Sequence, residues 1–144
     1  MTQNEKDLLL KDLCGRLPYK PIVHIDDCGI WDLRGVDHDD SAELRDRVIV
    51  WHGKNYPSSK NSFPIINCKP YLFPMSSMTE EQKYTCPIGV GELEIFIENA
   101  NWSIMQIMPD SIIPFFDWLH KNHFDYRGLI PLGLAIDATG KDIY

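Results

Sequence analysis

The densest group of polar side chains in the sequence is a set of carboxylates and imidazoles in its first third. His24 and Asp26 stand just before a predicted turn at 27–29, and Asp37 and Asp39 belong to the acidic run at 37–40. Oxygen and imidazole groups bind divalent cations, and a bound cation acidifies water for hydrolysis. The candidate metal ligands are His24, Asp26, Asp37 and Asp39. The alternative is a solvated loop, because aspartate favours turns through hydrogen bonds to its own backbone.

A second group combines aromatic and basic side chains and could bind nucleic acid. The segment 44–60 carries four basic residues and one aspartate, hence a local charge of +3 in a chain of net charge −7. Aromatic rings stack on bases, while lysine and arginine contact phosphates. The candidate nucleic-acid contacts are Trp51, Arg45, Arg47 and Lys54. If the tryptophan belongs to the core, this segment is only a solvated basic loop.

The third candidate is the turn formed by Asp125, Tyr126, Arg127 and Gly128. Tyrosine and arginine anchor many protein interfaces because they bring a large contact area and directional donors. The glycine is expected to adopt a backbone angle that a β-carbon resists. The alternative role is structural: Arg127 would pair with Asp117 or Asp125, or bind carbonyl groups at the end of the preceding helix.

The composition narrows the class of protein that can carry these groups. The chain has 144 residues, of which 44% are apolar and 24% charged, as expected of one globular domain over 1–144. Its net charge of −7 disfavours a protein that mainly binds phosphate backbones. No apolar run reaches the roughly 18–20 residues that span a bilayer, and the N-terminus does not resemble a signal peptide. We therefore expect a cytoplasmic protein with no membrane partner and no cofactor.

The elements that would position these groups predict an α+β fold that begins with an N-terminal helix. Thr2 and Glu5 have the spacing of a capping box, and leucines follow at helical intervals as far as Gly15. Beyond this helix, apolar and polar residues alternate, which predicts a small twisted antiparallel sheet over roughly 20–74. This sheet is either open or barrel-like, and the prolines within 65–74 predict an edge strand or an irregular extended strap there.

The second half of the chain is predicted to hold another hairpin and a C-terminal helix. Apolar and acidic residues alternate from Glu92 to Glu98, the pattern of a half-buried strand, and 102–108 is its expected partner. The core-facing residues of that strand would be Leu93, Ile95 and Ile97. A helix with a broad apolar face is expected over 110–122. The apolar segment 124–136 should then return across the core as a strap.

Three blocks of the sequence resemble a group of small uncharacterised proteins of gut bacteria and their prophages. The blocks are KDLCGRLPY at 11–19, KPYLFPMSSMTEE at 69–81 and HFDYRGLIP at 123–131. They occur here in the order expected for the group. The resemblance implies a phage or mobile-element context, and it implies no activity and no catalytic residues.

Three functions remain open at the level of the sequence. The favoured one is a non-enzymatic accessory protein of a phage or mobile element that binds a host or phage protein. The first alternative is a small β-domain that binds nucleic acid, or an acidic mimic of nucleic acid, since residues 80–125 carry a net charge of −6. The second alternative is a metal-dependent hydrolase that uses the candidate metal ligands.

Overall fold

The computed structural model describes residues 1–37, 47–51, 60–98 and 109–144, which form an α+β fold. The helices are α1 (Gln3–Arg16), α2 (Glu80–Tyr84), α3 (Val90–Glu98) and α4 (Pro109–Lys121). The strands are β1 (Ile22–Ile25), β2 (Gly29–Asp37), β3 (Arg47–Trp51), β4 (Lys60–Pro64), β5 (Cys68–Pro74), β6 (Phe124–Asp125) and β7 (Ile136–Asp137). The fold class predicted from the sequence is therefore confirmed.

Helix α1 begins at the predicted capping box and ends close to the predicted glycine. The backbone amide of Glu5 donates to Thr2 Oγ1 at 3.3 Å, and the amide of Thr2 donates to Glu5 Oε2 at 2.6 Å. The buried residues of the helix are Leu9, Asp12, Leu13 and Arg16. Their spacing places them on one face. Two of these four are charged, and the candidate site is built around them.

The sheet has the strand order β4-β3-β2-β1-β5-β6, and β7 also pairs with β5. The predicted alternation after α1 forms a hairpin of β1 and β2, with Ile25 opposite Gly29 across the turn. All pairs from β5 through β1, β2 and β3 to β4 are antiparallel. Strands β4 and β6 end the order without pairing to each other, so in the described residues the sheet is open and the barrel-like alternative is wrong.

Strand β5 lies inside the sheet, which corrects the expectation that its prolines place it at an edge. It pairs with antiparallel β1 over Cys68–Pro70, and with the short parallel strands β6 and β7 over Tyr71–Pro74. Both ladders are short, so Pro70 and Pro74 stand at ladder ends, where a missing N–H costs least. The strap prediction is confirmed, because Leu129 between β6 and β7 is fully buried.

The segment predicted as the first strand of a second hairpin is helix α3, so that prediction is wrong. Leu93 is fully buried, whereas Ile95 is 51% exposed, which excludes a strand with both residues facing the core. Apolar residues also stand three and four positions after Leu93, and this spacing suits a helix. The backbone amide of Gly89 donates to the carboxylate of Glu92, as at a helix start. The proposed partner strand, 102–108, lies outside the described residues.

The described residues form two hydrophobic clusters. The first joins α1 to the sheet and the strap, and its members include Leu9, Leu13, Trp31, Leu33, Leu72 and Leu129. The second joins α3 and α4 to β6, and it comprises Met78, Ile88, Leu93, Phe115, Trp118, Leu119 and Phe124. Within these parts of the chain, no helix is both long and apolar enough to cross a bilayer.

Candidate functional site

A buried ion pair links the N-terminal helix to the strand that follows α4. Asp12 and Arg16 both have fully buried side chains. The Arg16 Nε donates to Asp12 Oδ2 at 2.7 Å, and its Nη2 donates to Asp12 Oδ1 at 3.0 Å. The same Nη2 donates to the backbone carbonyl of Phe124 at 2.7 Å. Because buried ions are costly unless they are paired and hydrogen-bonded, each member of this arrangement depends on the others.

The turn after β6 brings a second guanidinium to the same carboxylate. Arg127 Nε lies 3.4 Å from Asp12 Oδ1. The contact has the distance of an ion pair without the alignment of a hydrogen bond, and this buried N–H has no hydrogen-bond partner among the described residues. Arg127 thus forms its ion pair with Asp12, where the sequence suggested Asp117 or Asp125.

The aromatic ring of Tyr126 packs against both guanidinium groups. The distance from the ring centre is 4.8 Å to Arg127 Cζ and 5.8 Å to Arg16 Cζ. The phenol oxygen lies 2.8 Å from Nε2 of His120, near the end of α4. Cation–π attraction and this hydrogen bond both hold the ring in place.

Burial decides the protonation of this hydrogen-bonded pair. It lowers the pKa of His120 to about 4, and the positive charge of Arg16 acts in the same direction. Burial also raises the pKa of Tyr126 above its ordinary value. At neutral pH the imidazole is therefore neutral and the phenol protonated, so the phenol O–H can donate to the imidazole.

Gly15 in the last turn of α1 permits this packing. A β-carbon at residue 15 would lie 2.6 Å from Cε1 of His120 and 3.0 Å from Nε2. The shorter distance is well inside van der Waals contact, so the imidazole can occupy its position only against a glycine. The sequence suggested a helix stop at this residue, but its role is to admit the side chain of another helix.

We expect Gly15→Ala to destabilise the protein by about 1–2 kcal/mol, although alanine favours a helix by about 1 kcal/mol. The added methyl group displaces His120 and weakens its hydrogen bond to Tyr126. Urea unfolding followed by circular dichroism measures the effect. The matched control is Gly91→Ala in α3, where a β-carbon meets nothing within 4 Å. A Gly15→Ala protein as stable as the wild type would contradict the described packing.

Asp125 fixes the shape of the turn. Its Oδ1 accepts a hydrogen bond from the amide of Leu129 and its Oδ2 one from the amide of Ile130, both at 2.8 Å. Gly128 has a φ of +72°, as predicted. Both oxygens of the buried carboxylate are therefore engaged by the backbone, and the turn is held in one conformation.

A cleft of about 720 Å³ opens beside this turn. The apolar part of its lining, termed the apolar wall, consists of Leu8, Met75, Phe96, Ile97 and Phe116. The rest of the lining consists of four polar residues and a glycine: His120, Asp125, Tyr126, Arg127 and Gly128. The volume is in the range of pockets that bind small ligands. The interaction residues predicted from the sequence thus line a cleft, together with α1, α3 and α4 residues that the prediction missed.

The candidate metal ligands are spread along the β1–β2 hairpin. His24 is in β1 and Asp26 follows in the exposed turn, whereas Asp37 ends β2. Ile30 lies opposite His24, and Asp37 is a further 7 residues along β2, roughly 20 Å away at the rise of a strand. Asp39 lies outside the described residues. In the described ranges no group of three or more His, Cys, Asp or Glu side chains could hold a metal ion.

Of the candidate nucleic-acid contacts, the structure describes the side chain of Arg47 alone. Its guanidinium donates to the hydroxyl and the backbone carbonyl of Ser62 on β4. The backbone of Trp51 ends β3, but its side chain lies outside the described part of the chain, as do Arg45 and Lys54. The grouping of these four residues therefore stays a prediction.

No protein-family model matches the sequence, and no curated protein or solved structure is significantly similar to it. The cleft is therefore the feature of the molecule that points to a function. The sequence carried one signal for its buried side: Asp12 and Arg16 are four residues apart, on the helix face that also presents Leu9 and Leu13.

Proposed function

We propose that the protein is a non-enzymatic binding protein that holds a segment of a partner protein in the cleft. The observation that carries this proposal is the contrast between the apolar and the polar parts of its lining. Five of the lining residues are apolar, while three of the polar ones, His120, Asp125 and Tyr126, have hydrogen-bond partners within the fold. Asp125 accepts from two backbone amides, and Tyr126 is hydrogen-bonded to His120. Side chains whose polar atoms are hydrogen-bonded within the fold can form a binding surface. Acid–base catalysis instead needs side chains that exchange protons with a substrate.

The rigidity of the turn favours binding. A site whose side chains are already ordered loses little conformational entropy when a partner docks. Tyrosine and arginine side by side at the border of an apolar wall are also the residue types that dominate binding energy in protein interfaces. The turn at 125–128 would therefore act as the anchor of the interface.

The biological setting is also part of the proposal. The resemblance of three sequence blocks to proteins of gut bacteria and their prophages supports a phage or mobile-element accessory protein that binds a host or phage protein. All four cysteines are free thiols, which is typical of a reducing compartment and supports a cytoplasmic location.

A pair of leucine substitutions tests the proposal. Leu8 lines the cleft, whereas Leu132 is 51% exposed and does not line it. Wild-type protein on beads captures partners from a lysate of the host bacterium, and mass spectrometry identifies them. The dissociation constant of each purified partner is then measured by calorimetry. We expect Leu8→Glu to raise it at least about tenfold, because a carboxylate enters the apolar wall, and Leu132→Glu to leave it within about twofold.

The binding test requires that the Leu8→Glu protein is folded. Its circular dichroism spectrum should match that of the wild type, and its melting temperature should lie within a few degrees of the wild-type value. A folded Leu8→Glu protein that binds every identified partner as tightly as the wild type would overturn the proposed function. Equal weakening by Leu132→Glu would also overturn it, since the effect would then come from added negative charge alone.

A further inference from the structure

We infer that the cleft binds the C-terminal end of the partner's chain, with the terminal carboxylate on Arg127 and the last apolar side chains against the apolar wall. This inference rests on the proposed function, and it specifies the chemistry of the segment that the cleft receives. Three observations support it: the partly compensated charge of Arg127, the hydrogen bonds of Asp125 to the backbone, and the net charge of the chain.

Arg127 is a cation whose charge is only partly compensated by the fold. Both oxygens of Asp12 accept hydrogen bonds from Arg16, and Arg127 Nε lies 3.4 Å from one of them without forming a hydrogen bond. One carboxylate is therefore shared by two guanidinium groups, and this trio carries one positive charge in excess. The side chain of Arg127 is 30% exposed and lines the cleft, so a carboxylate there can reach it.

Asp125, the other carboxylate of the cleft, does not pair with Arg127. Asp125 is buried, and its two oxygens accept from the amides of Leu129 and Ile130. It forms no ion pair with Arg127 among the described residues. His120 is neutral at pH 7, because burial lowers its pKa to about 4. The cleft therefore presents apolar side chains and one cation, Arg127, whose carboxylate partner among the described residues is shared with Arg16.

The overall charge of the protein selects the kind of anion. A net charge of −7 repels partner segments that carry several negative charges. A C-terminal carboxylate is a single charge, and it is attached to the same Cα as the last side chain. That side chain can therefore contact the apolar wall while the carboxylate reaches Arg127. Capture of terminal carboxylates is an established mode of peptide recognition.

The test compares three pools of synthetic pentapeptides that are acetylated at the N-terminus and end in two apolar residues. The first pool has a free C-terminal carboxylate, the second a C-terminal amide, and the third an amide with a glutamate at the third position. Binding is measured by calorimetry and by the NMR signal of the Arg127 Nε–H. We expect the first pool to bind at least about tenfold more tightly than the second, and to shift that signal.

The third pool distinguishes the two sources of a carboxylate. If it binds as tightly as the first, the cleft recognises a side-chain carboxylate and the inference is overturned. Equal binding of the first and second pools also overturns the inference, while the proposed function stands. If no pool binds, the inference fails, and the Leu8→Glu experiment decides separately whether the cleft is an interface.

Substitution of Arg127 shows whether its guanidinium group recognises the terminal carboxylate. Arg127→Met should reduce the preference for the free carboxylate to within about twofold. Arg34→Met, which removes the same charge from an exposed position on β2, should leave the preference unchanged. If Arg127→Met does not fold, Arg127→Lys replaces it and should lose part of the preference, because lysine lacks the planar fork. A folded variant that keeps the full wild-type preference would overturn the assignment.

Discussion

Replacing Arg16 with methionine should lower the free energy of unfolding by about 3–5 kcal/mol. The substitution leaves Asp12 fully buried with only the long contact to Arg127, and it removes the donor to the carbonyl of Phe124. Removal of one partner from a buried ion pair leaves an uncompensated charge, which is far more costly than the loss of an exposed pair. Urea unfolding at pH 7, followed by circular dichroism, measures the change.

Two further variants separate the buried charge from other effects of the substitution. The double variant Asp12→Leu/Arg16→Met removes both charges and should recover much of the loss, because no unpaired carboxylate remains buried. Arg34→Met breaks the exposed pair with Asp32 and should cost less than about 1 kcal/mol. If Arg16→Met cost no more than Arg34→Met, the ion pair would not be buried as described.

Acidification from pH 7 to pH 4 should destabilise the protein by roughly 6 kcal/mol through two buried histidines. Burial lowers the pKa of both His120 and His123 to about 4, whereas the unfolded chain restores it to about 6.5. Between these values the unfolded chain binds more protons than the folded protein. The stabilisation is therefore complete above pH 6.5 and is lost as the pH falls towards 4.

The histidine contribution can be isolated by one substitution. His123 has a φ of +57° and stacks on Tyr144 with ring centres 3.8 Å apart. Asparagine tolerates that backbone conformation and does not titrate in this range. We therefore expect His123→Asn to be less stable than the wild type at pH 7 but to lose less on acidification. Urea unfolding at steps from pH 4.5 to pH 8 gives both curves, and parallel curves would contradict the role of His123.

Elements that depend on neighbouring residues could be predicted from the sequence, whereas those that depend on distant packing could not. The capping box of Thr2 and Glu5 and the alternation along β1 and β2 are local signals, and both elements are present. The alternation at 92–98 is compatible with a strand and, through the residues that follow Leu93, with a helix. Packing of Leu93 against other helices decides between them. The interior position of β5 likewise depends on β6 and β7, which come much later in the chain.

The same distinction applies to the site. Residue types alone indicated the turn at 125–127 as an interaction candidate, and the structure places it in the wall of a cleft. The cleft also needs side chains of α1, α3 and α4, and no local pattern shows that Asp12 and Arg127 meet. The metal candidates show the opposite case, since His24 and Asp37 are close in the sequence but lie towards opposite ends of the hairpin.

The hydrogen bond from Arg16 to the carbonyl of Phe124 joins residues 108 positions apart, and it has a consequence for the rate of folding. Helix α1 and the β1–β2 hairpin contain mostly local contacts, which form within microseconds. The pairing of β5 with β6 and β7 must first close long loops, and the entropy lost in closure precedes the contacts that offset it. We therefore expect refolding on the millisecond-to-second scale of high-contact-order domains, limited by the encounter of α1 with the C-terminal segment.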